Sequence, residues 1–97
     1  MKPMVYEVRY SARAIEQLKE LRAYDRSAIL EKIERLLTTE PARLSKTTIK
    51  LLKQPAPTQY RLRINEFRVF YDVEGDVVTV MEVLSKGDSV PYLDLQP

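Results

Sequence analysis

Arg61, Arg63 and Arg68 are the residues whose types and spacing could do chemistry in this chain. They fall in the stretch from Tyr60 to Val73, which reads with a period of two as a pair of strands joined at Asn65-Glu66. Tyr60, Leu62 and Ile64 face one way, and Arg61 and Arg63 the other. After the turn, Phe67, Val69, Tyr71 and Val73 alternate with Arg68, Phe70 and Asp72. If the loop has two residues, Arg63 lies directly opposite Arg68. Like charges so placed destabilise a sheet by some tenths of a kcal/mol, up to ~1. Folding alone does not explain that placement, whereas an anionic partner would.

Composition narrows the chemistry further. The chain has 97 residues with neither cysteine nor histidine. There is then no disulfide framework, no thiolate or imidazole metal site, and no Ser-His or Cys-His catalysis. Acid–base work must fall to Lys, Arg, Tyr, Asp or Glu. The apolar fraction of 44% and charged fraction of 31% are those of a single small globular domain spanning residues 1–97. No apolar run could span a bilayer and no signal peptide precedes the first strand, so a cytoplasmic protein without membrane association is expected. The net charge is only +2, but it is unevenly spread: residues 41–73 hold seven Lys/Arg and two Asp/Glu, and residues 74–97 hold one and five. The middle segment is a basic band of the kind that attracts phosphates.

The elements that must position this band follow in order. Met4 to Arg9 alternates and reads as a first strand. Ser11 is an N-cap for a helix whose apolar stripe is Ala14, Ile15, Leu18 and Leu21. Asp25 is a plausible cap for a second helix, with Ile29, Leu30, Ile33, Leu36 and Leu37 as its stripe and Glu40-Pro41 as its end. The two should form an antiparallel helical hairpin. Residues 42–59 read as a basic loop with at most one short helical turn, in which Lys46, Lys50 and Lys53 are candidate phosphate contacts. Pro55 and Pro57 forbid regular structure up to the hairpin. After Glu74-Gly75-Asp76, Val77 to Leu84 is a strand apolar on both faces, expected centrally or under the helices. A three-residue connection there would set Glu82 opposite Arg68 and give that arginine a structural partner, which a register shift would remove. The expected architecture is α+β: a strand, a helical hairpin, then a three-stranded antiparallel meander completing a four-stranded sheet.

At residues 60–73 the wording Tyr-Arg-Leu-Arg-Ile-Asn-Glu-Phe-Arg-Val-Phe-Tyr-Asp-Val resembles the RelE/ParE superfamily, toxins of bacterial type II toxin–antitoxin modules. Asn65 stands where glycine is usual in that pattern. The resemblance is to the RelE-like branch more than the ParE-like one. It implies a ribosome-dependent mRNA interferase, in which a ribose 2′-OH attacks the neighbouring phosphate without a metal or other cofactor. Such chemistry needs cations around a dianionic phosphorane, with a proton acceptor and a donor. By that resemblance Arg61, Arg63 and Arg68 match the basic residues of the catalytic set, Lys86 a further basic residue beyond the last strand, and Tyr92 a late aromatic that stacks on a base.

The chain departs from the family in having Ser85-Lys86 where a His-Arg or Lys-Arg pair is common. It also has arginines at 61 and 63 where the best-known nuclease has lysines. Arginine stays protonated at neutral pH and is a poor base. Lys86 is then the candidate acid or base, with Glu82 and Asp88 as rivals. The partners implied are a cognate antitoxin, in a toxin–antitoxin hetero-oligomer, and mRNA on the ribosome. The alternatives are a ParE-like inhibitor of DNA gyrase and a non-toxic nucleic-acid-binding homologue.

Overall fold

Ser11 joins the two halves of the fold. Its side-chain oxygen accepts the Ala14 N–H at 3.0 Å, which caps the first helix, and its hydroxyl donates to the Met81 carbonyl at 2.8 Å. The computed structural model describes residues 5–89. In them β1 (Glu7–Tyr10) leads into α1 (Ala12–Lys19) and α2 (Ala23–Leu37), followed by β2 (Ile49–Leu51), β3 (Tyr60–Ile64), β4 (Phe67–Glu74) and β5 (Val77–Ser85).

Asp25 is not the cap of the second helix. That position falls to Arg22, which makes no side-chain cap hydrogen bond, and Asp25 lies in the first turn, where its carboxylate accepts from Arg22 Nε at 3.4 Å. The helix also stops short of Glu40. Thr38 is its C-cap, and the Thr38 and Thr39 hydroxyls donate to the Glu34 and Arg35 carbonyls, which would otherwise be left open at the helix end.

The strands form one sheet in the order β1-β5-β4-β3-β2, with β1 parallel to β5 and the remaining pairs antiparallel. Five strands replace the four expected. The extra one, β2, lies inside the segment read as a basic loop, and at three residues it is too short for alternation to reveal. Ser45 prepares it: its side-chain oxygen accepts the Thr48 and Ile49 N–H groups at 2.9 and 3.3 Å. Arg63 N–H then donates to the Thr48 carbonyl and Leu52 N–H to that of Gln59, docking the strand on β3.

Both helices cover one face of the sheet. Ala14, Leu18, Ile29, Ile33 and Leu37 pack on Leu62, Ile64, Val69, Tyr71, Val78, Val80 and Val83. The apolar stripes are wider than the contact, and Ile15 and Leu30 remain exposed at their margins. Tyr71 is fully buried, stacks on Tyr60 at 5.4 Å, and donates its hydroxyl to the Pro41 carbonyl at 2.5 Å. Burial pushes its phenol above the ordinary range, so it is a structural hydroxyl and not a proton carrier. Among the described residues no helix is long and apolar enough to cross a membrane.

β5 lies between β1 and β4, as its two apolar faces require. β1 pairs only with Val77 to Val80, which leaves the rest of the β5 edge to be satisfied by other groups. Ser11 takes the Met81 carbonyl, and Gln17 Oε1 accepts the Val83 N–H at 2.6 Å. Gln17→Ala should therefore destabilise the fold by about 1–2 kcal/mol through the orphaned amide. Urea denaturation would read this as a lower midpoint at unchanged slope, and an unchanged midpoint would show that water replaces the side chain.

Candidate anion-binding face

The face of the sheet turned away from the helices carries the arginines, in the register that the sequence suggested. Arg63 is directly opposite Arg68, across the turn at Asn65-Glu66. Arg61 pairs with Phe70 on one side and Lys50 on the other, so Lys50, Arg61, Arg63 and Arg68 form one basic quarter of the sheet. Its opposite end is of another character: Asp72 accepts the Gln59 N–H there at 2.7 Å.

Glu82 does not face Arg68. The β4–β5 connection is the two residues Gly75-Asp76, with Gly75 at φ 60°, and a register shift follows between Phe70 and Tyr71. Val80 thus pairs with Tyr71 but Glu82 with Phe70, and the partner of Arg68 on β5 is Leu84. The Glu82 carboxylate is drawn to the sheet edge, where Arg13 Nε lies at 2.7 Å and Gln17 Nε2 donates at 2.6 Å. That removes the structural explanation of Arg68 and occupies both oxygens of a rival base.

Arg68 is held by main chain instead. Its Nη1 donates to the Asn65 carbonyl at 3.0 Å and to the Phe67 carbonyl at 2.9 Å. Asn65 adopts φ 52°, a left-handed conformation that asparagine tolerates, which accounts for its serving where glycine is usual. The turn and the guanidinium therefore form one unit, and only 5% of Arg68 is exposed. Arg61 is 9% exposed, and its Nε is buried with no hydrogen-bond partner among the described residues. Burial, then Arg68, then Arg63 lower the pKa of Arg61, and burial, then Arg63, lower that of Arg68. Arginine nonetheless stays charged at neutral pH. Two nearly buried cations and an exposed third, Arg63, thus stand together without an ion pair among the described residues, and Glu66 in the turn offsets only part of the repulsion at Arg68. Such a cluster binds an anion and stabilises negative charge that develops on it.

The other candidates are placed less centrally. Lys86 N–H donates to the Glu66 carbonyl at 2.7 Å, which carries the β4–β5 ladder one step beyond the Phe67–Ser85 pair. By alternation Lys86 follows Leu84 on the arginine side of the sheet, exposed beside the hairpin turn. Lys46 and Lys53 are exposed just outside the two ends of β2, flanking Lys50. Asp88 is exposed in the turn after β5, its N–H bound to Ser85 Oγ at 3.2 Å. Tyr92 lies outside the described residues.

Sequence reasoning missed two participants. Arg13 and Gln17, one helical turn apart on α1, reach around the sheet edge to Glu82, and that i,i+4 spacing was the available signal. Phe70 was placed with the arginines by alternation, but it is fully buried between the Arg61 and Glu82 positions and gives the site an apolar floor.

The family described as the ParE toxin of type II toxin–antitoxin system, parDE, matches residues 8–90. The chain belongs to this toxin family. Solved structures place the toxin on the RelE fold. One is a toxin–antitoxin complex RelBE2 from Mycobacterium tuberculosis, 23% identical with TM-score 0.74 over 87% of this toxin and 94% of that chain. The archaeal RelE–RelB complex from Pyrococcus horikoshii is 24% identical with TM-score 0.70 over 87% and 98%. A mutant of the E. coli toxin RelE in the free state is 21% identical with TM-score 0.69 over 93% of each chain. Among curated protein sequences there is no significant match.

Proposed function

We propose that this toxin is a metal-independent endoribonuclease that cuts mRNA on the ribosome, by attack of a ribose 2′-OH on the adjacent phosphate. The observation that carries this reading is the pair of nearly buried arginines, Arg61 and Arg68, with Arg63 beside them and no ion pair to any of the three among the described residues. Arg68, fixed by its own turn, would hold the scissile phosphate. Arg61 and Arg63 would stabilise the phosphorane charge, and Lys46, Lys50 and Lys53 would bind the flanking backbone. The proton transfers would fall to Lys86, and Tyr92 would stack on a base. In the cell the protein would be cytoplasmic and held inactive by a cognate antitoxin in a hetero-oligomer. The complexes of RelE with RelB among its structural neighbours support that partner.

The test is to express the toxin and map mRNA 5′ ends, then to incubate purified toxin with mRNA in the presence and absence of ribosomes. New ends that require ribosomes are expected, and no new ends in either condition would sink the reading. The match to a ParE family favours a second reading, a poison of DNA gyrase that acts by protein binding. Trapped gyrase cleavage complexes with intact mRNA would establish it in place of the first.

A further inference from the structure

Attack by a ribose 2′-OH needs two groups in different states at the start, an acceptor without its proton and a donor with it. Lys86 alone serves badly as both. A lysine becomes a base where burial strips its charge, and Lys86 is exposed. Its ammonium therefore begins as a donor, and the acceptor has to come from elsewhere in the site. Glu82 is held by Arg13 and Gln17 at the sheet edge. Asp88 is not among the charges that act on Arg61 or Arg68.

Glu66 remains. Its carbonyl accepts the Lys86 N–H at 2.7 Å, one step beyond the Phe67–Ser85 pair, so Glu66 and Lys86 stand opposite each other in the ladder. Residues paired in this way share a face of the sheet, with Cβ atoms about 5 Å apart. The neighbouring positions settle which face. Phe67 packs against the helix-side core, and Arg68 lies on the other side. Glu66, two residues before Arg68, and Lys86, two after Leu84, are thus both on the arginine side.

The electrostatics of Arg68 agree with that placement. Burial and then Arg63 lower its pKa, and Glu66 acts in the opposite sense, so the carboxylate is within electrostatic reach of the guanidinium. Glu66 and Lys86 are both exposed, and neither is tied in an ion pair among the described residues. The pair is open toward the place that a phosphate on Arg68 would take.

We propose that Glu66 is the proton acceptor of the reaction and Lys86 its proton donor, a carboxylate and an ammonium set side by side at the turn that fixes Arg68. The inference rests on the nuclease reading and deepens it. The Glu66 carboxylate takes the proton of the 2′-OH as the 2′-oxygen bonds to phosphorus. The bond from phosphorus to the 5′-oxygen breaks, and that oxygen takes a proton from the Lys86 ammonium. The products are a 2′,3′-cyclic phosphate and a 5′-OH. Water then removes the proton from Glu66 and returns one to Lys86. Between the two transfers, the arginines carry the charge that collects on the phosphoryl oxygens.

The test is single-turnover cleavage of a ribosome-bound mRNA by the full chain and by Glu66→Gln, Glu66→Asp and Lys86→Met. Glu66→Gln should cut about 10²-fold more slowly, and Glu66→Asp should recover part of the rate. Affinity of Glu66→Gln for the mRNA should be unchanged or tighter, since a negative charge has gone from beside Arg68. Loss of rate without loss of binding marks an interaction made only in the transition state. A second substrate carries sulfur in place of the bridging 5′-oxygen at the cut. A thiolate leaves without needing a proton, so Lys86→Met should cut this substrate nearly as fast as the unaltered toxin does, while Glu66→Gln stays slow. Both side chains are exposed, so the variants should melt with the unaltered toxin.

A full rate in Glu66→Gln overturns the proposal and leaves the nuclease reading standing. Weaker binding that accounts for the slower rate makes Glu66 a binding residue and overturns it as well. Sulfur rescue of Glu66→Gln in place of Lys86→Met overturns the assignment of the two roles. If the unaltered toxin cuts neither substrate, both readings fall together.

Discussion

Arg68→Ala is expected to lower mRNA cleavage by about 10²- to 10³-fold while the protein stays folded. The size follows from how the side chain is held. Two main-chain carbonyls, that of Asn65 in the turn and that of Phe67 just after it, fix its Nη1, so the guanidinium needs no reorganisation when a phosphate arrives. A cation fixed before the reaction contributes more to a charged transition state than one that must be recruited. The same geometry limits the structural cost. The carbonyls freed by truncation lie in the turn and at the first residue of β4, where water can reach them, and removal of Arg68 relieves its repulsion with Arg63. A change in stability within about 1 kcal/mol is expected, read as a small shift in melting temperature.

Arg68→Lys should recover only a small part of the activity, because an ammonium cannot present one nitrogen to the turn and others in a plane to the phosphate. The measurement is the single-turnover rate on a ribosome-bound mRNA, beside thermal melts of both variants. A full rate in Arg68→Ala would remove the phosphate role from this residue, and with it the main support for RNA chemistry. Gyrase trapping that survives the substitution would give the ParE-like reading the advantage.

Which parts of this site were legible in the sequence follows from the range of the interactions that make it. The hairpin from Tyr60 to Val73 could be read because its alternation and turn are local, and the face-to-face placement of Arg63 and Arg68 follows from a two-residue turn. The strand Ile49–Leu51 could not, since it exists only through its pairing with β3 and the Ser45 turn that presents it. Asp25 was misread because the cap of helix α2 falls three residues earlier, at Arg22, which makes no capping hydrogen bond, so that tertiary packing decides and propensity does not. Glu82 depended on one extra residue. The shift at Phe70 and Tyr71, with a shorter turn than expected, moved its partner from Arg68 to Phe70 and sent its carboxylate to Arg13 and Gln17, some 65 residues away in the chain. Neither a bulge nor a contact at that separation has a local signal.

Arg61→Met should stabilise the toxin and disable it at once. Arg61 is nearly buried, carries an Nε without a partner among the described residues, and is adjacent to two further cations. Each of these costs free energy in the absence of a ligand: the unmet donor, the desolvated charge and the like-charge contacts. Methionine keeps the apolar stem that covers this part of the sheet and removes all three costs. A gain of about 1–2 kcal/mol is expected, enough to raise the melting temperature by roughly 4–16 °C in a domain of this size. Cleavage should fall by about 10²-fold, since the lost guanidinium is one of the charges aimed at the phosphate.

The two outcomes have to occur together, because the same unpaired charge is responsible for both. Inorganic phosphate supplies a further check: it should raise the melting temperature of the unaltered toxin more than that of Arg61→Met, since a ligand stabilises only the state that binds it. If Arg61→Met melts lower than the unaltered toxin, Arg61 is a structural residue whose burial is favourable, and the cluster is not a site held ready for an anion. If it melts higher but cleaves normally, the strain is real and serves something other than the reaction. Only higher stability with lost activity fits an arginine kept buried and unpaired for a phosphate that the free protein lacks.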